Sequence, residues 1–227
     1  MDILEGIKSR KSIRAFNPKP VSEQVLMEIL EVAIRAPSGV NRQPWEFFIA
    51  RGEVLKELKR KNLERHRLGE APNPEIPIGP IKGISPALEG IFREREVELA
   101  KQMFKLLGIV KGDKKRLQEW TENMVQLYDA PAVIFVVVDK LLLGNWPILD
   151  TGFVCQNILL AAQENGLGTC VMRTAVDYPE QVRKVVGIPE TKRIIVGIAI
   201  GYPDWNHPVN QLSTNRERIE KIVTLAG

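Results

Sequence analysis

Apolar residues recur along the chain with the two spacings that distinguish helices from strands. Spacings of three and four residues predict helices over about 3–10, 22–35, 53–65, 97–107, 117–127, 150–165 and 179–186. Short apolar runs predict strands over about 45–50, 131–139, 169–172 and 193–201. Because two helices follow one another between strands, the order favours an α+β domain over a regularly alternating one.

Two segments are apolar enough to indicate where the core lies. The run from Ala132 to Val138 consists of alanine, β-branched and aromatic residues, which predicts a central strand buried on both faces. We expect the next helix to open at Asp150 and run to about Asn165. It carries almost no charge, so we expect it to be buried all round. We also assign Trp45 to the core.

The stretch from Glu70 to Gly90 interrupts this regular pattern with five prolines. Irregular stretches of that length inside a domain are uncommon and are often lids or binding loops, and a disordered surface excursion is the alternative. With the two helices that follow, the stretch forms an insertion over about 70–128. We treat 1–227 as a single domain.

Composition places the chain among ordinary globular proteins, with 227 residues, 44% of them hydrophobic and 26% charged. The net charge of +4 comes from basic and acidic residues that are interspersed, which favours local anion sites over a nucleic-acid surface. No stretch approaches the roughly 18 continuous apolar residues of a membrane span. Cys155 and Cys170 lie in apolar runs without a paired motif, so we expect a reducing, cytoplasmic location.

The segment from Arg10 to Phe16 is the strongest candidate for binding chemistry, because three cations and a hydroxyl fall within five residues. On a helical turn, Arg10 and Arg14 project from one face and converge on an anion such as a phosphate. A solvated basic turn is the alternative. Neither His66 nor His207 suggests catalysis, and the cysteines and histidines do not suggest a metal site.

Five segments taken in order resemble the nitroreductase family of FMN-dependent oxidoreductases. They are the 10–16 run, the proline- and glycine-containing loop 36–45, the 150–152 helix start, the turn and strand 166–172, and the tail with Arg216 and Arg218. The resemblance is weakest between Glu70 and Tyr128. It implies a mostly antiparallel sheet flanked by helices, in an intertwined homodimer with FMN at the subunit interface.

The resemblance also implies which residues bind the cofactor. Arg10, Lys11 and Ser12 match the phosphate-binding run, and Arg14 matches the basic position beside the flavin pyrimidine edge. A guanidinium there stabilises the negative charge of the reduced flavin. Arg216 and Arg218 match a basic pair that closes over the phosphate, although a solvated tail is the commoner fate of such pairs.

Two further segments are implied to reach the flavin ring. Pro37, Ser38, Gly39 and Asn41 match a loop contributed by the partner subunit, which plain turn chemistry also explains. Met172, Arg173 and Thr174 match the loop that faces flavin N5, where ordinary strand-end residues are the alternative. No side chain is assigned a catalytic role, because the flavin itself passes the electrons.

The function implied is reduction of a small electron-poor acceptor, such as a nitroaromatic or a quinone, by NAD(P)H through FMN in a ping-pong scheme. Phe104, Trp120 and Tyr128 of the insertion are available to form the lid and specificity wall, and Arg173 suggests an acidic aromatic acceptor. A reductive dehalogenase or flavin-modifying enzyme of the same fold, and a flavin-binding protein without turnover, are the alternatives.

Overall fold

The computed structural model describes residues 2–76 and 89–227. Its helices are α1 Ile3–Ser9, α2 Glu23–Ala33, α3 Gly52–Arg67, α4 Gly90–Leu107, α5 Lys114–Val125, α6 Trp146–Glu164 and α7 Pro179–Val186. Its strands are β1 Trp45–Arg51, β2 Ala132–Asp139, β3 Gly168–Met172 and β4 Lys192–Gly201. The α+β class predicted from the element order is confirmed.

The four strands form one sheet in the order β1-β2-β4-β3, and every neighbouring pair is antiparallel. Strand β2 lies inside the sheet and is buried over its first seven residues, as its β-branched composition predicts. Because side chains alternate across a strand, Val133, Phe135 and Val137 enter one core and Ala132, Ile134 and Val136 the other.

Different helices pack against the two cores. One is closed by α3, α5 and α7 and includes the buried side chains of Leu58 and Trp120. The other is closed by α2 and α6 and includes Trp45, which confirms its assignment to the core. Helix α2 begins where predicted, because the Ser22 hydroxyl accepts a hydrogen bond from the Val25 amide at 3.3 Å.

Helix α6 differs from the prediction in two ways. It begins at Trp146, so Asp150 lies one turn inside the helix rather than at its start. Pro147 in its first turn accounts for the earlier start, since proline suits that position. The helix is also not buried all round, because Trp146, Leu149 and Phe153 are 68%, 49% and 41% exposed.

Only part of the proline-rich stretch lies within the described residues. Residues 70–76 form no helix or strand, as predicted, and the prediction for 77–88 falls outside the described residues. The Glu75 carboxylate fixes this segment, since it lies 2.7 Å from both the Arg183 guanidinium and the Ile194 amide. Glu75 therefore anchors residues 70–76 to α7 and β4.

The described residues contain neither a membrane-spanning helix nor a cluster of metal-ligating side chains. No helix there is both long and apolar enough to cross a bilayer. Within residues 2–76 and 89–227, no three histidine, cysteine or acidic side chains are grouped so that they could hold a metal ion.

Candidate functional site

The segment from Arg10 to Phe16 is extended rather than helical, which corrects the expected helical turn. Helix α1 ends at Ser9, and Ser12 pairs with Thr169 at the start of β3 in a parallel bridge. The Ile13 amide donates to the Thr169 carbonyl at 2.9 Å. The edge of β3 thus provides backbone hydrogen-bond partners for the extended segment. A helical turn at this position could not make these hydrogen bonds.

A glycine on β3 makes this close approach possible. A Cβ atom at Gly168 would lie 2.4 Å from Cγ1 of Ile13 and 2.9 Å from the Pro203 ring. Ile13 itself is 2% exposed. Since side chains alternate along extended backbone, Ser12 and Arg14 project to one side, and Lys11 and Ile13 to the other. The extended segment therefore divides the basic residues between two faces.

Residues from both ends of the chain line a basic cavity of about 520 Å³. Arg10 and Lys11 form one wall, and Ser213, Thr214 and Arg216 form another. The Arg216 guanidinium is oriented by Thr214, whose hydroxyl accepts a hydrogen bond from its Nη1 at 2.8 Å. Lys8 and Ser9 also line the cavity, so four cations and three hydroxyls surround it, and this donor set matches a phosphate dianion.

Lys11 also faces a second cavity of about 450 Å³, which is bordered by Leu159, Thr169 and Trp205. Its ammonium lies 5.5 Å from the centroid of the Trp205 ring, a cation–π distance. Arg218 does not join the basic cavity. Its side chain is 78% exposed and lies 3.3 Å from the Glu220 carboxylate. Of the two tail arginines, the structure brings only Arg216 to Arg10 and Lys11.

Arg14 projects to the same side of the extended segment as Ser12, beside buried groups of the sheet. Its Nη1 donates to the Ser12 carbonyl at 3.4 Å. Burial raises the pKa of the Cys170 thiol, whereas Arg14, Ser12 and Arg10 oppose that rise. Arg14 is thus half-buried next to β3, and it is not among the four cations that line the basic cavity.

Asn210 holds Arg14 in place and escaped the sequence analysis. Its Oδ1 accepts from the Arg14 amide at 2.8 Å, and its Nδ2 donates to the Ala15 and Asp204 carbonyls at 2.7 and 2.8 Å. The side chain is fully buried. An asparagine within a polar, proline-containing tail gives no sequence signal for such a role, because its partners are distant in sequence.

The loop with Pro37, Ser38, Gly39 and Asn41 stands at a different place in the chain. Gly39 borders a cavity of about 220 Å³ together with Trp146 and Asp150, and no residue of the 10–14 segment lines it. The Ser38 hydroxyl accepts from the Gln43 amide at 2.9 Å, and Asn41 has a positive φ of 55°. Within one chain, the structure does not unite this loop with the basic cavity.

Asp150 fixes that loop, and it is a second residue whose role the sequence analysis missed. The Gly39 amide donates to its two carboxylate oxygens at 3.2 and 3.3 Å. The carboxylate is buried, with 4% exposed. A signal was available here, because Asp150 is the only acidic residue of α6 before Glu164. An isolated carboxylate in an apolar helix needs a buried partner.

The segment with Met172, Arg173 and Thr174 follows β3 at the end away from Ser12. Met172 belongs to the core, and Thr174 opens a single 3-10 turn. The Arg173 guanidinium lies 3.0 Å from the Asp177 carboxylate. Burial raises the pKa of Asp177, and Arg173 opposes the rise. Strand β3 thus carries the extended segment at its start and this turn at its end.

The insertion contributes the aromatic side chains of Trp120 and Tyr128 to the core. Trp120 and Tyr128 are 8% and 5% exposed, and their ring centroids lie 5.3 Å apart. Phe104 packs against the same core. The expectation that Trp120 and Tyr128 are available as a specificity wall is therefore wrong for the structure of a single chain.

Comparison with known proteins gives consistent matches along most of the chain. A sequence profile of the Nitroreductase family matches residues 7–202. The chain is 28% identical to a 4-nitrobenzoate reductase of Pseudomonas putida, over 97% of this chain and 94% of that protein. It is 30% identical to an iodotyrosine deiodinase of Thermotoga neapolitana, over 88% of each.

Among solved structures, the FMN and NADPH-dependent nitroreductase NfnB from sphigopyxis sp. strain HMH superposes with a TM-score of 0.92. It is 27% identical, and the alignment covers 100% of both chains. The likeness therefore includes the described part of the central insertion, where the sequence resemblance is weakest.

Proposed function

The chain belongs to the nitroreductase family, and we propose that it is an FMN-dependent NAD(P)H oxidoreductase that reduces electron-poor acceptors by a ping-pong mechanism. The observation that carries the proposal is the basic cavity where Arg10 and Lys11 meet Arg216. Its donors suit the phosphate of FMN. When bound, the flavin supplies the redox chemistry, accepting electrons from NAD(P)H and giving them to the acceptor.

In this proposal, the side chains of the extended segment have distinct roles. Arg10 and Lys11 hold the phosphate with Arg216, and Ser12 adds a hydroxyl donor near Arg10. Arg14 stands on the β3 side and provides a fixed positive charge near the pyrimidine edge of the ring. Met172, Arg173 and Thr174 follow the same strand and border the ring at its far end. Arg218 remains in solvent.

We propose further that the active form is a homodimer. The apolar side chains of Trp146, Leu149 and Phe153 are exposed along α6 in a single chain. A second copy that covers them would bury apolar surface. It would also let the loop from Pro37 to Asn41, which is remote from the basic cavity of its own chain, complete the cavity of the partner. Sedimentation of Phe153→Glu as a monomer, with weakened FMN binding, would support this arrangement.

The proposed acceptors are small aromatic compounds with electron-withdrawing groups, nitroaromatics above all. The relative from Pseudomonas putida is a 4-nitrobenzoate reductase, which suggests comparing a nitrobenzoate with an uncharged nitroaromatic. Arg173 is the cation that would favour the carboxylate, although it already pairs with Asp177. Equal kcat/KM values for the two acceptors would remove this role of Arg173.

Anaerobic reduction of the purified holoprotein tests the proposal directly. We expect a yellow protein whose absorbance near 450 nm is bleached by NADPH or NADH and restored by a nitroaromatic. A protein that binds FMN but is not reduced by either nucleotide would be a flavin-binding protein without turnover. A protein with no affinity for FMN would overturn the proposal.

A second activity, reductive dehalogenation, is favoured by the 30% identity to the iodotyrosine deiodinase. Thr174 is the residue placed to influence one-electron steps, because it follows the strand that borders the proposed flavin site. Turnover of halotyrosines without turnover of nitroaromatics would establish this activity in place of the first.

Two substitutions separate the roles within the extended segment. We expect Arg10→Ala to weaken FMN binding about tenfold or more, since a charge-assisted contact to the phosphate is lost. Arg14→Ala is expected to slow reduction by NAD(P)H more than it weakens binding. The reverse pattern would exchange the two assignments.

We also place the protein in the cytoplasm. Cys155 and Cys170 are both free and buried, which suits a reducing compartment. Fractionation of the source cells, followed by detection of the protein, is the direct test.

A further inference from the structure

A cavity of about 500 Å³ lies where α4 passes into α5, and we call it the lysine cavity. Four lysines line it, two on α4 and two at or just before the start of α5: Lys101, Lys105, Lys111 and Lys114. Most of the remaining lining is apolar and consists of Phe104, Ile109, Val110 and Leu117. The proposed function makes no use of this cavity, because none of its residues lines the basic cavity around Arg10.

The four lysines have no carboxylate to balance their charge. Within residues 2–76 and 89–227, none of their ammonium groups lies within ion-pair distance of a carboxylate. The three lysines of α3 differ in this respect, since Lys56, Lys59 and Lys61 lie 2.7, 3.6 and 3.2 Å from carboxylate oxygens. The charge of the lysine cavity is therefore available to an anion from outside the chain.

The acidic residue beside these lysines already has other partners. Among the described residues that line the cavity, only Asp113 carries a carboxylate. Its Oδ1 caps α5 by accepting a hydrogen bond from the Arg116 amide at 3.1 Å. The Arg116 guanidinium lies 3.8 Å from Oδ2 of Asp113 and donates to the Gly108 carbonyl at 2.8 Å. Asp113 and Arg116 thus join the end of α4 to the start of α5, and the lysines are not needed for that contact.

Two of the charge placements are unfavourable while the cavity holds no anion. Lys101 and Lys105 are four positions apart on α4, where like charges repel each other. Lys114 is the first residue of α5, at the positive end of the helix dipole, and the first turn after Asp113 contains no acidic residue. A bound anion would make both placements favourable.

The apolar wall of the lysine cavity is continuous with the hydrophobic core. Phe104 and Ile109 pack against the core that includes Leu58 and Trp120. Leu117 is 43% exposed, so an apolar group that covered it would remove apolar surface from water. The volume of about 500 Å³ is typical of pockets that hold a single small molecule.

We propose that the lysine cavity binds a small amphiphilic anion, such as an aliphatic or aromatic carboxylate. Its acidic head meets the lysines, and its apolar body packs on Phe104, Ile109 and Leu117. A single molecule suits the site better than a bilayer surface, because the apolar wall lies between two helices. The inference does not rest on the proposed FMN-dependent function, since no proposed cofactor ligand lines the cavity.

Calorimetric titration of the whole 227-residue protein with decanoate tests the proposal. FMN is kept in excess, so that anion binding in the basic cavity is suppressed. Decanol has the apolar chain without the charge, and acetate has the charge without the chain. We expect decanoate to bind about tenfold more tightly than either, because each of them makes only half of the contacts.

Two variants locate the binding in the lysine cavity. We expect Lys105→Gln/Lys111→Gln to weaken decanoate binding about tenfold or more, because two charge-assisted contacts are lost. Leu117→Gln should weaken it about threefold or more, through the apolar contact. The matched control is Lys56→Gln/Lys61→Gln, which removes the same net charge from α3 and should leave the affinity unchanged. Urea unfolding shows whether each variant folds like wild type, which we expect for lysines at exposed positions.

Three results would overturn the inference. They are no binding of decanoate to wild type, equal affinity of wild type and Lys105→Gln/Lys111→Gln, and binding of decanol as tight as that of decanoate. Co-sedimentation with phosphatidylglycerol vesicles separates the remaining alternative. Vesicle binding that the lysine variant loses, without binding of decanoate by wild type, would assign the lysines to a lipid surface instead.

Discussion

The Asn210 side chain accepts a hydrogen bond from the Arg14 backbone amide at 2.8 Å, across 196 positions of the chain. The contact joins the C-terminal region to the extended segment that carries the proposed phosphate ligands. The Asn210 side chain also donates, through its Nδ2, to the carbonyls of Ala15 and Asp204. All the hydrogen bonds of this side chain therefore join the C-terminal region to the extended segment or to itself. The two halves of the basic cavity depend on that junction for their relative position.

Asn210→Asp is expected to destabilise the protein by about 2–4 kcal/mol. The substitution replaces the Nδ2 donor with a carboxylate oxygen, which would face the carbonyl oxygens of Ala15 and Asp204 in a buried place. FMN affinity should fall with it, although Asn210 lines none of the basic cavity. Urea denaturation gives the stability loss. Asn206→Asp, at an exposed position of the same segment, is the control and should change stability by less than about 0.5 kcal/mol.

Asp150→Ala is expected to release the loop around Gly39, because the loop amide loses its buried acceptor. We predict a stability loss of about 1–3 kcal/mol, with faster proteolysis between Ala36 and Trp45. If that loop completes the partner's site, FMN affinity also falls. Lys184→Ala, at an exposed position of α7, should leave both proteolysis and affinity unchanged.

The two tail arginines are predicted to differ in their effect on FMN binding. Arg216 lines the basic cavity, so Arg216→Ala should weaken FMN binding about tenfold or more. Arg218 is exposed and pairs with Glu220, so Arg218→Ala should have little effect. Fluorescence titration of the apoprotein with FMN measures both. Equal losses would show that the tail reaches the cofactor in another way.

The Asp177 carboxyl is predicted to lower stability as pH rises. Burial raises its pKa in the folded protein, so its favourable contribution is complete below the unfolded value, about 3.9, and is lost as pH passes the folded value. Asp177→Asn should therefore be at least as stable as wild type at pH 7. Its advantage should shrink toward pH 4 in urea unfolding. An advantage that grows on acidification would contradict this sign.

The sequence by itself determined most of the elements, because their signals are local. The β-branched run of β2 favours an extended, doubly buried strand wherever it is placed, and Ser22 caps α2 through a residue three positions away. The basic segment was likewise identified from its own composition. The conformation of this segment could not be predicted from its own residues. It is extended because Ser12 pairs with the edge strand β3, which is formed by residues 168–172, far away in the sequence.

Tertiary structure decided which residues act together. The approach of Arg216 to Arg10, the separation of Arg218 from both, and the clamps made by Asn210 and Asp150 all depend on contacts between residues distant in sequence. The two clamps are each formed by a buried polar group, which must find a partner wherever the fold supplies one. The turn at Tyr128 shows this as well, because its φ of 55° is unfavourable locally, and the Trp120 ring and the Lys59 ammonium contact the turn from two helices.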